Sequence, residues 1–348
     1  MRMNVRDVVE QGLAEGMFAG AVVHVSRGGH EVLHEAFGQA ELTPRRRPMT
    51  VDAVFDVASL TKVMATLPAV LRSIQLGRLE LDRPVLRNIT IQHLLTHTSG
   101  LPAWKPLYLW AQGRAAYLDR IKAERLDYET GVQSVYSDLG LILLGFVLED
   151  IWQKPLADLT RDLVFAPLGM ENTGYLEAGK DAVATEVGNG IERRMCLDYA
   201  TPCEIAEFPW RTETICGEVH DCNCHYGLQG VSGHAGLFST AADTARYLQM
   251  WAEEGQDFLA PELIRLATTS QTDTTPPGLT RGLGWEVGAW AGEAFLPEAF
   301  GHTGFTGTSM WYDRTSRTAV VALTNRVHLT PAANLSTWRR SLHRAAFT

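Results

Sequence analysis

The stretch Phe55-Asp56-Val57-Ala58-Ser59-Leu60-Thr61-Lys62 sets a serine and a lysine three residues apart, where an extended segment turns into a helix. Val63, Leu67, Val70, Leu71 and Ile74 follow at the spacing of one face of a 3.6-residue period, and Gly77 supplies a stop. Ser59 is therefore expected in the first helical turn, with Lys62 on the same face. A serine hydroxyl is a weak nucleophile until a neighbouring base takes its proton. Lysine can serve where desolvation lowers its pKa, and the helix N-terminus favours negative charge beside Ser59. Pro68 falls inside the apolar run and predicts a kink more than a turn beyond Lys62. A plainer account stays open: Ser59 only caps the helix and Lys62 is solvated. Of the five lysines, only Lys62 has a serine three residues before it.

Composition narrows the class. The chain has 348 residues, 45% hydrophobic and 20% charged, as in an ordinary soluble globular protein. A net charge of −9 and the lack of long basic runs argue against nucleic acid as a partner. The longest apolar stretch, residues 139–148, is interrupted by Gly140 and Gly145 and is too short to span a membrane. With no basic-then-apolar start, a cytoplasmic chain is expected. Cys196, Cys203, Cys216, Cys222 and Cys224 crowd into one stretch near His220, His225 and His234. Their spacings match none of the usual zinc pairings, so packed thiols are expected, with no metal and no cofactor; a structural metal site using Cys222-Asn223-Cys224 is the alternative.

Residues 3–17 carry an amphipathic helical pattern, and residues 20–26 and 30–37 alternate as a hairpin about Arg27-Gly28-Gly29. The text from 60 to about 250 is mostly helical. Within it Thr240 is expected to cap a helix, with Asp243 reciprocating as in a capping box. After a Pro-rich break at 272–278, strands are expected at 283–287, 309–312 and 318–323, then a closing helix at 335–346. Strands at both ends with helices between predict an α/β (α+β) fold with one antiparallel sheet assembled from the two termini. The expected division is a sheet part, residues 1–58 and 260–348, and a mainly helical insertion, residues 59–259. Ser59 sits at their seam, where pockets are common.

Two further segments bear on that seam. Val135-Tyr136-Ser137-Asp138-Leu139-Gly140 opens an apolar helix and can place a phenol and a carboxylate in one cleft; taken alone, a cap and a hydrophobic staple are the simpler account. Gly301-His302-Thr303-Gly304-Phe305-Thr306-Gly307 precedes a strand, and its glycines allow backbone N–H groups to approach a ligand; a plain hairpin loop is the alternative. No G-x-S-x-G, H-E-x-x-H, GxGxxG or Walker A pattern offers a rival chemistry.

Together the three segments resemble the serine β-lactamase and penicillin-binding-protein superfamily, with its S-x-x-K, S-D-N and K-T-G motifs. The likeness is greatest to the branch of class C β-lactamases, D-alanyl-D-alanine carboxypeptidases and β-lactamase-like esterases, whose second motif is Y-x-N. The resemblance runs from about residue 8 to 340 and implies that Ser59 is acylated, with Lys62 taking or tuning its proton. It makes Tyr136 the second acid or base, and the N–H groups of Ser59 and Phe305 the oxyanion donors. Thr303 and Gly304 would line the substrate site. The implied activity is covalent hydrolysis of an ester, amide or peptide, with a small-molecule or short-peptide substrate.

Two positions depart from the pattern. Asp138 stands where asparagine is usual, and pairing with Lys62 would hold that lysine charged. His302 replaces the lysine of K-T-G, so recognition there is expected to titrate near neutral pH. Arg326 is a candidate for the missing cation, although a surface arginine is the simpler expectation. Both departures favour an esterase, amidase or peptidase over an efficient β-lactamase. The alternative is a catalytically silent sensor of a wall-derived ligand.

Overall fold

In a computed structural model, which describes residues 3–175, 179, 181–272 and 280–347, the two ends of the chain build one antiparallel sheet. Its strands are β1 (Gly20–Arg27), β2 (His30–Glu41), β3 (Arg47–Pro48), β7 (Thr280–Arg281), β8 (Glu286–Ala291), β9 (Ala294–Thr303), β10 (Ser309–Asp313) and β11 (Thr318–Thr324). They lie in the order β3-β2-β1-β11-β10-β9-β8-β7, so N-terminal β1 pairs with C-terminal β11 at the centre. Between them a small sheet joins β4 (Phe55–Asp56), β6 (Leu237–Ser239) and β5 (Gly174–Tyr175). The fold class is the mixed α/β one expected.

Both faces of the large sheet are covered. On one, helix α1 (Val5–Ala14) and the C-terminal helix α5 (Ser336–Phe347) pack Val8, Val9, Trp338 and Leu342 against Val23, Val320 and Ala322. The Trp338 indole donates to the Val8 carbonyl at 3.0 Å and meets Phe18 edge-on, tying the two ends together. On the other, Val321, Leu323, Phe300 and Met310 join one continuous core with the helical part, including α2 (Leu67–Gln75), α3 (Asp138–Trp152) and α4 (Ala241–Ala252). β11 is buried along its length, which is why it reads as a nearly unbroken apolar run.

Several local expectations are corrected. Residues 283–285 are bends, and the strand begins at Glu286; Leu283 and Trp285 are apolar because they fill the helical core. His302 and Thr303 also end β9, a strand not expected, while the segment they belong to precedes β10 as expected. Pairing of β8 with β9 jumps from Val287–Phe300 to Ala289–Leu296, a bulge that accommodates Pro297. Thr240 caps α4 through the Asp243 N–H, but the Asp243 carboxylate accepts from the Asn172 N–H and the Thr173 hydroxyl instead of reciprocating. Past Thr272, the Pro-rich break lies outside the described residues. Among those residues no helix is long and apolar enough to cross a membrane, and none of the five cysteines is in a disulfide.

Candidate active site

Ser59 stands between β4 and α2, and the turn that presents it is strained. Ala58 has φ +48°, a left-handed conformation that costs a non-glycine residue roughly 1–3 kcal/mol and is found where surrounding structure enforces it. Consecutive i→i+3 bonds from the Leu60, Thr61 and Lys62 N–H groups wind the chain onward. The next five residues, Lys62–Thr66, form a π turn. Pro68 has no N–H, and its ring would meet the carbonyl of Met64 in a regular helix; the wider turn removes that conflict. The perturbation expected a turn beyond Lys62 thus begins at Lys62 itself.

Lys62 is 1% exposed. Its Nζ donates to Ser59 Oγ at 2.9 Å and to the His234 carbonyl at 2.8 Å, and lies 2.8 Å from Asp138 Oδ1. Burial alone would push the ammonium down, but the Asp138 carboxylate, then Tyr136, outweigh it and raise its pKa above the ordinary lysine value. Lys62 is therefore charged at neutral pH. The solvated-lysine account fails, and so does the idea that desolvation makes this amine a free base at rest.

Tyr136 comes from the segment before α3, where Ser137 caps the helix by accepting the Gly140 N–H. Its ring centroid lies 4.9 Å from Lys62 Nζ, and its faces meet His97 at 4.7 Å and His302 at 5.9 Å. Burial raises the phenol above the usual tyrosine value, against the Lys62 charge and hydrogen bonds with Lys62 and Ser59. His97, to which the sequence assigns no role, accepts the Ser137 N–H at Nδ1 and so fixes this segment. Burial, then the Arg281 and Lys62 charges, push His97 well below the ordinary histidine value.

Gly304 opens the third wall. A Cβ there would lie 2.1 Å from Thr308 Oγ1 and 2.5 Å from the Val57 carbonyl, so only glycine lets this loop close against the Ser59 segment. Phe305, 40% exposed, has its ring between the imidazole of His220 at 5.7 Å and the guanidinium of Arg326 at 5.0 Å. Among the described residues neither the Ser59 nor the Phe305 N–H has a protein acceptor.

His302 departs from expectation. Its Nδ1–H donates to the Thr303 carbonyl at 2.8 Å, leaving Nε2 without a partner among the described residues. Burial, then the Arg281 and Lys62 charges, push it well below the ordinary histidine value, so it stays neutral instead of titrating near pH 7. Positive charge comes instead from residues with no local motif. A cavity of about 480 Å³ is lined by Ser59, Tyr136 and His302 together with Arg281, Arg326 and Arg339. Arg326 is a cavity residue, not a surface one. Glu286 lies 3.3 Å from Arg281 Nη1. Burial and the neighbouring Arg326 charge push Arg339 down to about 10.

Behind Lys62, Asp138, Asp221 and His234 each bring a donor atom within 4.8 Å of the others. The Lys62 ammonium already meets Asp138 and the His234 carbonyl, filling the place of a cation. Burial would raise the Asp221 carboxyl, but contact with His234 brings it down to about 2.

The comparisons give the family to which this site belongs. The beta-lactamase family model matches residues 5–344, and the chain belongs to that family. The N-acetylmuramyl-L-alanine amidase of Bacillus subtilis (strain 168) is 33% identical over 371 residues, covering 93% of this chain and 80% of its own. Among solved structures, EstCE1, a hydrolase with promiscuous acyltransferase activity, superposes with a TM-score of 0.74 at 24% identity over 99% of this chain and 97% of its own. The D-amino acid amidase from Ochrobactrum anthropi does so with a TM-score of 0.69 at 19% identity over 97% of this chain and 96% of its own. The latter two share the fold.

Proposed function

We propose that the protein is a serine hydrolase that cleaves a small amide or ester bearing an anionic group, through an acyl-enzyme on Ser59. The observation that carries this reading is the 2.9 Å contact between the Lys62 ammonium and Ser59 Oγ at the floor of an arginine-lined cavity. Since Lys62 rests charged, its proton passes to Asp138 before the free amine takes the Ser59 proton. The Ser59 oxygen bonds to the substrate carbonyl carbon, and the oxyanion is received by the Ser59 and Phe305 N–H groups. Tyr136 hands its proton to the departing amine or alcohol and is reprotonated by Lys62. Water then hydrolyses the ester along the same path in reverse.

The likeness to a muramyl-alanine amidase supports an amide whose product is an amino acid or short peptide, with its carboxylate toward the arginines. Five cysteines without a disulfide among the described residues fit work in the reducing cytoplasm. A second reading, a sensor that binds without turnover, draws on the charged resting state of Lys62.

One experiment separates the two. A fluorophosphonate should add mass to Ser59 in the wild type and not in Ser59→Ala, and turnover of N-acetylmuramyl-L-alanine should fall by at least a thousandfold in the variant. Absence of label on the wild type, with ligand binding retained, would establish the sensor.

A further inference from the structure

One buried carboxylate bonds the turn that carries the nucleophile and the backbone behind the Phe305 ring. Asp56 lies at the end of β4, 3% exposed, and among the described residues no lysine or arginine forms an ion pair with it. A buried acidic group normally requires a cation or several hydrogen bonds. Asp56 has the second. Its Oδ1 accepts the Ala58 N–H at 2.8 Å, and its Oδ2 accepts the His220 N–H at 2.7 Å. Its backbone carbonyl accepts the Thr306 hydroxyl at 2.8 Å, and the next carbonyl, of Val57, accepts the Thr308 hydroxyl at 2.9 Å.

Each bond ends on a part that sets the position of an N–H donor. The Ala58 bond closes an aspartate turn over Val57 that ends on the residue at φ +48°, immediately before Ser59. The two threonine bonds draw the 304–308 loop, with the Phe305 N–H, against the nucleophile's segment. The His220 bond fixes the backbone of the residue whose imidazole stacks on the Phe305 ring at 26°; Glu186 holds that imidazole from behind at 2.9 Å. Removing the Asp56 side chain would release the strained turn and the Phe305 support together.

We infer that Asp56 is a positioning residue for the oxyanion site, its carboxylate acting through the Ala58 and His220 N–H groups to hold the Ser59 and Phe305 N–H groups at one spacing, beside threonine bonds to backbone carbonyls that do not depend on its side chain. The inference rests on the acyl-enzyme reading above and adds a residue that touches neither substrate nor the reacting atoms. An oxyanion donor out of place weakens the transition state and leaves ground-state binding nearly intact. The effect of Asp56 should therefore fall on the rate of acylation.

The test uses the full chain, a fluorophosphonate and phenylboronic acid, whose adduct with Ser59 is tetrahedral and anionic. Asp56→Ala should lower the maximal labelling rate about a hundredfold, with half-saturation by the probe unchanged within threefold. Asp56→Asn keeps an acceptor for Ala58 but turns an amide toward the His220 N–H; about a tenfold loss is expected. Thr306→Val removes only the hydroxyl and should cost a few fold. Phenylboronic acid affinity should fall in the same order. Should Asp56→Ala not fold, the two milder variants decide. If both melt like wild type and label at the wild-type rate, the inference is overturned. It is equally overturned if labelling losses merely follow melting temperature while phenylboronic acid affinity holds. A wild type that takes no label at Ser59 removes the acyl-enzyme reading itself, and this inference with it.

Discussion

The two sides of the cavity handle charge in opposite ways. On the α2–α3 side, Lys62 is paired at 2.8 Å with Asp138, and the Asp221 carboxylate meets the His234 imidazole at 3.0 Å. On the β7–α5 side, Arg281, Arg326 and Arg339 face the same space with Glu286 as the acidic residue of the lining. Their other contacts are largely to neutral groups: Arg326 to the Phe305 and Ala333 carbonyls, Arg339 to the Thr308 carbonyl. Balanced charges suit proton movement, since a proton can shift between partners without exposing a net charge. Excess positive charge, partly stripped of water, suits recognition of an anion. The side with paired charges also holds the nucleophile.

The sharpest way to break this contrast is to remove the balance. In Asp138→Asn the carboxylate that lifts Lys62 is gone and burial becomes the dominant influence, so the lysine pKa should fall toward neutrality. The wild-type labelling rate at Ser59 should vary little between pH 6 and 8 with respect to Lys62, which stays charged throughout. The variant should acquire a limb rising with pH as its amine becomes free, about ten- to a hundredfold across the titration. A variant profile as flat as the wild-type one would show that Asp138 does not govern the lysine.

The opposite side is tested by substrate charge. Arg339→Ala should raise KM about tenfold for an ester whose departing alcohol carries a carboxylate, corresponding to ~1.4 kcal/mol. Its kcat should change little, and p-nitrophenyl acetate should be nearly unaffected. Arg326→Ala should act in the same direction, with some loss of kcat because its Nε holds the Phe305 carbonyl. Equal losses on the charged and neutral esters would remove the recognition role.

How much of this could be read in advance follows from how each side is built. Ser59, Lys62, Tyr136, Asp138 and residues 302–305 fall in three short motifs, each at an element end where local spacing fixes the geometry. The arginines have no such signature. Arg281 lies in a two-residue strand, Arg326 opens a 3₁₀ turn and Arg339 sits on the final helix, so only the folded chain brings them together. Asp56 stood inside the first motif, yet its partner His220 is 164 residues away and joins it only through β4–β6 pairing and the loop before it. The histidine at 302 misled for a related reason. Its chemistry in isolation is that of a switch near neutral pH, and burial beside two cations cancels that.

That cancellation has a measurable consequence for stability. His302 and His97 stay neutral in the folded chain well below their ordinary value of 6.5, whereas the unfolded chain takes up protons there. As pH falls below about 6.5 the unfolded state binds more protons, so the folded state loses stability. The slope reaches at most ~1.4 kcal/mol per pH unit for each histidine. Above that range the contribution is fully present and flat. His302→Asn, which can still donate to the Thr303 carbonyl, removes one of these sites. Urea midpoints between pH 7.5 and 5 should therefore fall less steeply for the variant than for wild type, and the two curves should run parallel above pH 7. Other buried histidines, such as His343, contribute equally to both proteins and cancel in the difference. Parallel curves throughout would mean that His302 takes up its proton as readily folded as unfolded, and the neutral acceptor assigned to the cavity wall would have to be given up.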